Sequence, residues 1–122
     1  MNVLVAETDE TVLSSVAERI LGWGYSVIKS KTGQMALQML DEASVDLVLL
    51  DLALPDMAPR DLIPRLKERR PHIGVITMTG SNTQTLENEI RTLGIVYYML
   101  KPINEETLKD LLDHFSKRKR SP

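Results

Sequence analysis

The sequence of 122 residues contains no cysteine, which excludes disulfide bonds, a thiol nucleophile and thiolate metal ligands. Aromatic side chains are also scarce, at 4% of the chain, with one Trp and one Phe. No apolar run approaches the roughly 20 residues of a membrane span. Residues 1–6 lack the basic region and the long apolar stretch of a signal peptide, so we expect a cytoplasmic protein that contacts no membrane.

Neither sign of charge predominates, since 15 Lys and Arg stand against 17 Asp and Glu, for a net charge of −2. This balance argues against binding driven by bulk positive charge, and we expect no direct nucleic-acid partner. Four cations form the run 117–120, and removing them from the net charge leaves −6 for residues 1–116. We interpret the run as the end of a last helix, whose negative pole it complements, or as a solvated linker. Contact with nucleic acid or an acidic partner is the less favoured alternative.

Short apolar runs alternate with amphipathic segments of helical period along the chain. The runs at 3–6, 45–50, 75–78 and 95–100 are nearly continuous, as in strands buried on both faces, and a shorter run at 25–28 fits a strand nearer an edge. The 43% hydrophobic content suffices for one core and excludes two independent domains. Five βα units are too few for a barrel, so they predict an open, doubly wound α/β fold with a parallel sheet.

Local signals predict where several helices begin and end. The first helix ends at residues 22–24, where glycine can adopt the left-handed conformation of a C-cap. The third begins near Asp61, with Pro64 in its first turn. The fourth runs from about Asn82 to Thr92, and Asn104 caps the fifth.

Polar residues follow the central strands at their carboxyl ends, which meet at one edge of a parallel sheet and form its ligand site. They are Glu7, Thr8 and Asp9 after the first strand, Asp51 at the third, Thr79 and Gly80 at the fourth, and Lys101 and Pro102 at the fifth. Taken singly, each has a structural explanation, such as a helix N-cap for Asp9 or Thr8 and a solvated charge for Lys101. Their convergence on one edge favours a functional site.

Phosphoryl transfer to a carboxylate is the chemistry that these residues can share. Asp51 can act as the nucleophile, and the transferred group needs a cation, an ammonium and a hydroxyl around its oxygens. Mg²⁺ prefers oxygen ligands, for which Glu7 and Asp51 supply the acids. Lys101 supplies the ammonium and Thr79 the hydroxyl, while Gly80 leaves room for the phosphoryl group.

The segment 46–57, DLVLLDLALPDM, resembles the phosphoacceptor segment of response-regulator receiver domains of two-component signalling, with the chemotaxis regulators as the nearest type. The similarity extends from Val3 to about Lys117. Its later motifs are Thr79-Gly80 after the fourth strand, Tyr98 three residues before Lys101, and the Lys101-Pro102 pair, all in order and at family spacing. The resemblance implies a flavodoxin-like three-layer sandwich, (βα)5, with strand order 2-1-3-4-5. It further implies a receiver domain at 1–117 and a basic tail or linker stub at 118–122.

The resemblance also assigns roles to individual residues. Asp51 would accept a phosphoryl group from a histidine kinase or phosphotransfer protein, and Lys101 would contact that group. Thr79 and Tyr98 would form the switch pair, and the peptide bond before Pro102 would be cis. We expect no enzymatic activity beyond magnesium-dependent phosphorylation and dephosphorylation of the chain itself.

A cation site and a partner surface are implied in the same way. Glu7, Asp51 and the backbone carbonyl of Ala53 would hold Mg²⁺. The face formed by the fourth helix, fifth strand and fifth helix would bind a downstream protein or output domain, and homodimerisation is a further alternative.

Two features depart from the family pattern. The family usually has two adjacent acids after the first strand and uses the second as a metal ligand, but here Glu7 precedes the neutral Thr8. The site therefore lacks one charge, for which Asp9 compensates only if the loop differs. Pro59 stands where the loop commonly has glycine, and it cannot adopt positive φ, so we expect the loop after Asp51 to have another shape.

Two classes of function remain open. In the first, a weaker magnesium site still supports phosphorylation. In the second, a pseudo-receiver binds partners without a phosphate signal. The presence of Asp51, Thr79, Tyr98 and Lys101 favours the first. A flavin protein of the same fold class is disfavoured, because residues 7–10 are acidic and lack the glycine of a phosphate-binding loop.

Overall fold

The computed structural model describes residues 1–120, with side chains through Arg118, and strands and helices alternate along this range. In order, the elements are β1 (Asn2–Ala6), α1 (Glu10–Gly22), β2 (Ser26–Ser30), α2 (Gly33–Glu42), β3 (Leu47–Asp51), α3 (Pro59–Arg69), β4 (Gly74–Thr79), α4 (Gln84–Arg91), β5 (Tyr97–Leu100) and α5 (Glu105–Arg120). The runs predicted at 45–50 and 95–100 each begin two residues before the observed strand. Val45 is buried without belonging to the strand, so hydrophobicity alone misplaced the boundary.

The strands form one parallel sheet in the order β2-β1-β3-β4-β5, which confirms the predicted topology. One row across the sheet, in register, consists of Lys29, Val5, Leu49, Ile76 and Tyr97. Because all strands point the same way, their carboxyl ends lie along one edge. This edge therefore carries the residues that follow β1, β3, β4 and β5.

Two apolar cores lie on opposite faces of the sheet, since successive strand residues point to opposite sides. In β3, Leu47 and Leu49 face the core shared with α1 and α5. Val48 and Leu50 face the core shared with α2, α3 and α4. Every residue of β3 and β4 is buried, and the three layers confirm the predicted doubly wound sandwich.

The predicted start of α3 is wrong. The helix begins at Pro59, whose fixed φ suits the first helical position, and Ala58 provides no side-chain cap that would have marked the boundary. Pro64 consequently lies inside the helix rather than in its first turn, where its missing N–H leaves the Arg60 carbonyl without an intrahelical donor. Among residues 1–120, no residue other than glycine has a positive φ. The chain after Asp51 therefore contains no left-handed non-glycine residue.

Other helix ends follow local signals more closely. Trp23 is the C-cap of α1, and Gly24 follows with φ of 96°. α4 begins later than predicted, because Thr83 rather than Asn82 caps it by accepting the Leu86 N–H. Asn104 caps α5 by accepting the Thr107 N–H, as predicted.

The basic run 117–120 belongs to α5, which extends to Arg120. This placement agrees with our interpretation of the run as cations at the end of a last helix. Residues 121 and 122 of the expected tail lie outside the described residues.

Candidate functional site

An ammonium and two buried carboxylates meet at the carboxyl edge of the sheet. Lys101 Nζ donates hydrogen bonds to Glu7 Oε1 at 2.5 Å and to Asp51 Oδ2 at 3.1 Å. Glu7 is 2% exposed and Asp51 is 5% exposed. Buried charges are tolerated only when they are paired, and Lys101 supplies that pairing for both acids. The structure thus brings together three of the predicted residues, from the ends of β1, β3 and β5.

The two acids respond differently to this environment. Burial and the hydrogen bond with Asp51 raise the pKa of Glu7. Burial would also raise the pKa of Asp51, but its hydrogen bonds with Glu7, the Ala53 N–H and Lys101 together lower it. Burial opposes the charge on Lys101, whereas the bonds to Glu7 and Asp51 prevail and raise its pKa. Asp51 is therefore the acid held in the ionised form that a nucleophile requires.

Backbone amides orient the oxygens around Asp51. The Ala53 N–H donates to Asp51 Oδ1 at 3.0 Å, which leaves Oδ2 to Lys101. At the end of β4, Thr79 is buried and its Oγ1 accepts the Ser81 N–H at 3.1 Å. The Thr79 hydroxyl keeps its proton for donation, as a contact with an incoming anion needs.

Tyr98 lies inward on β5 and is tied to the segment before α4. Its hydroxyl donates to Asn82 Oδ1 at 2.7 Å, and the Arg91 guanidinium lies 5.5 Å from the ring centroid. Burial and the charge of Glu87 raise the pKa of Tyr98, so the hydroxyl stays protonated as a donor. Sequence reasoning found Tyr98 but assigned Asn82 to the start of a helix. No signal in the neighbouring sequence distinguishes an Asn that accepts a hydrogen bond from a tyrosine hydroxyl from an Asn that caps a helix.

The side chains of the two residues after Glu7 make their hydrogen bonds outside the acidic cluster. Thr8 is exposed, and its hydroxyl donates to the Lys31 carbonyl at 2.9 Å. Asp9 is the N-cap of α1 and accepts the Val12 N–H at 3.1 Å, which was the structural alternative for this residue. Its own amide donates to Glu7 Oε2 at 3.3 Å. Asp9 therefore supports Glu7 rather than replacing the missing second acid.

The candidate cation ligands are hard oxygen donors, which fit the chemistry of Mg²⁺. They comprise the carboxylates of Glu7 and Asp51 and the backbone carbonyl of Ala53. Within the described part of the chain, no group of three or more acidic, His or Cys side chains is placed to hold a metal ion. The donor set thus suits magnesium but has one acid fewer than the family pattern.

Two smaller expectations concern neighbours of the cluster. The Lys101–Pro102 peptide bond is cis, as the resemblance implied. A Cβ added at Gly80 would lie 3.8 Å from Lys101 Cδ, an ordinary van der Waals distance. Space within the protein therefore does not by itself demand glycine at this position.

None of the helices formed by residues 1–120 combines the length and the apolar character needed to cross a membrane.

The fold agrees with comparisons to known proteins. The family model described as "Response regulator receiver domain" matches residues 3–113. The transcriptional regulatory protein ZraR of Escherichia coli (strain K12) is 29% identical over 114 residues, which cover 93% of this chain and 26% of that protein. This chain therefore spans about a quarter of the length of that curated relative.

Two solved structures show the same similarity. A CheY-like response regulator receiver domain protein from Methanospirillum hungatei JF-1 has a TM-score of 0.86 at 26% identity, covering 96% of this chain and 97% of that one. The BeF3-activated DrrB receiver domain has a TM-score of 0.86 at 29% identity, with the same coverage. Receiver domains of this family generally bind Mg²⁺. Because the family model spans most of the chain and the solved receiver domains share its fold, this protein belongs to the response-regulator receiver domains of two-component systems.

Proposed function

We propose that this receiver domain accepts a phosphoryl group on Asp51 from a histidine kinase or phosphotransfer protein. The observation that supports this most is the state of Asp51, a buried carboxylate with a lowered pKa in contact with the Lys101 ammonium. A purely structural strand end gains nothing from a buried charge that needs a cation from another strand. The arrangement suits a nucleophile beside a fixed positive charge.

In the proposed step, an Asp51 carboxylate oxygen forms a bond to the phosphorus of a phosphohistidine. The phosphorus–nitrogen bond breaks, and its electron pair returns to the imidazole of the donor. Lys101 neutralises charge on the transferred oxygens, and the Thr79 hydroxyl donates a hydrogen bond to one of them. Bound Mg²⁺ would supply further charge neutralisation, and Glu7, Asp51 and the Ala53 carbonyl would hold it.

Phosphorylation would act as a switch through new contacts at the sheet edge. The added group carries roughly two negative charges, so Thr79 and Lys101 gain interactions that they lack with the carboxylate alone. Such differential contacts set how far a conformational equilibrium moves. Tyr98 reports this change to the neighbouring surface because Asn82, its partner, lies three residues after Thr79.

The face of α4, β5 and α5 is the proposed output surface. On β5 and just before it, Val96, Tyr97 and Leu100 are 42%, 42% and 51% exposed. These apolar side chains flank the buried Tyr98, so a partner here would sense its position. We propose a downstream protein or output domain as the occupant, with homodimerisation as the alternative. No nucleic-acid contact, membrane contact or separate enzymatic activity is proposed for this chain, and its proposed location is the cytoplasm.

The second candidate, a pseudo-receiver, is favoured by one specific observation. Lys101 already contacts both acids, and Thr8 adds no third charge to attract a metal ion. In that case the domain would bind partners through the same face without a phosphate signal.

Fluoroberyllate, which mimics a phosphoryl group on a carboxylate, distinguishes the two functions. We would titrate it with Mg²⁺ by calorimetry into the wild type, Asp51→Asn and Asp61→Asn, an exposed acid in the first turn of α3. The proposed function predicts binding to the wild type and Asp61→Asn only, and no binding without Mg²⁺. A folded wild type that binds nothing would favour the pseudo-receiver.

A further inference from the structure

Asp56, on the loop between β3 and α3, holds the first turn of a different helix. Its Oδ1 accepts the Gly33 N–H at 2.8 Å and its Oδ2 accepts the Gln34 N–H at 2.9 Å. These two bonds to α2 lower the pKa of Asp56, so the carboxylate stays ionised. Both of its oxygens are thereby committed to a segment more than 20 residues away in sequence.

Asp56 is not the only residue that caps α2. Thr32 is the N-cap residue, and its hydroxyl oxygen accepts the Met35 N–H at 3.0 Å. The two caps satisfy different amides of the same turn. Thr32 acts within its own segment, whereas Asp56 links α2 to the loop that follows Asp51. Asp56 therefore joins two segments in addition to satisfying helix donors.

The end of β2 and the residue after it, just before this turn, contact the chain after β1. The Thr8 hydroxyl donates to the Lys31 carbonyl at 2.9 Å, and the Glu7 amide donates to the Ser30 carbonyl at 2.9 Å. Residues 30–34 therefore hold the chain next to Glu7 on one side and the chain after Asp51 on the other.

Close packing reinforces the contact on the Asp56 side. A Cβ added at Gly33 would lie 3.0 Å from Met57 Sδ and 3.2 Å from Met57 Cβ. The loop thus rests directly on the first residue of α2, where little room remains for it to shift.

We propose that Asp56 is a positioning residue for the phosphoacceptor site. Asp56 fixes the β3–α3 loop on α2. The fixed loop keeps the Ala53 backbone in place, so that the Ala53 N–H can donate to Asp51 Oδ1 at 3.0 Å. The consequence for Mg²⁺ rests on the proposed function, because it assumes that the Ala53 carbonyl is a ligand. The consequence for the loop does not, since it can be measured without metal.

Amide hydrogen exchange in metal-free protein tests the loop directly, because local protection reports local opening. Asp56→Ala should accelerate exchange at the Ala53 amide by about tenfold, the effect of losing interactions of ordinary hydrogen-bond strength. Thr32→Ala, which removes a cap from the same helix, should leave Ala53 unchanged. The Ser81 amide serves as an internal reference in both variants. Equal acceleration at Ala53 in both variants, or none in Asp56→Ala, would overturn the proposal.

Calorimetry with Mg²⁺ alone tests the consequence for the site. Asp56→Ala should weaken Mg²⁺ binding severalfold, and Asp56→Asn, which retains one acceptor oxygen, should fall between it and the wild type. Thr32→Ala should bind as the wild type does. If wild type binds no Mg²⁺, the proposed function fails while the exchange result still decides whether Asp56 positions the loop. If Asp56→Ala does not fold, Asp56→Asn carries both measurements.

Discussion

The hydroxyl of Tyr98 on β5 and the side-chain amide of Asn82 before α4 are joined by a 2.7 Å hydrogen bond. The Tyr98 side chain is buried, at 6% exposure, so this bond satisfies a donor that water does not reach freely. It connects the proposed output face to the segment that begins at Thr79. The Tyr98–Asn82 contact and the role of Thr79 can therefore be tested separately.

Asn82→Ala should release Tyr98. The buried hydroxyl would lose its acceptor, which costs about 1–3 kcal/mol. Turning the ring outward would let the hydroxyl bond to water instead. The measurement is the free energy of unfolding in a double-mutant cycle with Tyr98→Phe, which removes the donor. Asn82→Ala should destabilise the wild type but have little effect in the Tyr98→Phe background. Additive losses would show that the two residues do not interact energetically.

Thr79→Ala should separate binding at the acceptor from the response of Tyr98. Asp51 and Lys101 remain, so fluoroberyllate and Mg²⁺ should still bind, although the hydroxyl contact is lost. The side-chain NMR signals of Tyr98, which shift on binding in the wild type, should change little in the variant. A full shift in Thr79→Ala would contradict the proposed coupling.

Thr8→Asp should tighten Mg²⁺ binding by about tenfold or more, since it restores a carboxylate where one is missing. Thr8→Asn is the matched control, because it has nearly the same shape and adds no charge. Calorimetry is the suitable measurement. The fluorescence of Trp23 is a poor reporter of Mg²⁺ binding, because this residue lies near the amino ends of the strands. It is the C-cap of α1, three residues before the Ser26 that pairs with Asn2. Equal affinities for the Asp and Asn variants would show that charge at this position is not limiting.

Gly74→Ala should destabilise the fold by about 1–3 kcal/mol, as overpacking does. A Cβ at the start of β4 would lie 2.6 Å from both Leu47 Cδ1 and Phe115 Cε1, between the sheet and α5. Gly80→Ala is the control, because its nearest contact would be an ordinary 3.8 Å. Chemical denaturation compares the two variants, and equal stabilities would contradict the packing described for this core.

The sequence predicted the fold and the edge cluster because both depend on repeating geometry. Nearly continuous apolar runs mark strands buried on both faces, and parallel strands bring their carboxyl ends together wherever they lie in the chain. Glu7, Asp51 and Lys101 could therefore be grouped before any contact was known, although Lys101 lies 50 residues beyond Asp51.

The contacts that sequence reasoning missed depend on how loops meet. Asn82 looked like a helix start, and Asp56 looked like part of a motif, yet each bonds to a segment far away in sequence. Thr8 appeared as a missing ligand, whereas its hydroxyl bonds to Lys31. Asn, Asp and Thr each accept several alternative partners, so only the placed backbone selects one.

Intact mass spectrometry with a small-molecule phosphodonor tests the central claim most directly. The wild type incubated with the donor and Mg²⁺ should gain the mass of one phosphoryl group. Hydroxylamine should then release phosphate and leave Asp51 as a hydroxamate, as expected of an acyl phosphate. Asp51→Asn should gain nothing, and Asp61→Asn should match the wild type. A folded wild type whose mass stays unchanged, or an Asp51→Asn variant that is labelled equally, would contradict the assignment of Asp51 as the phosphoacceptor.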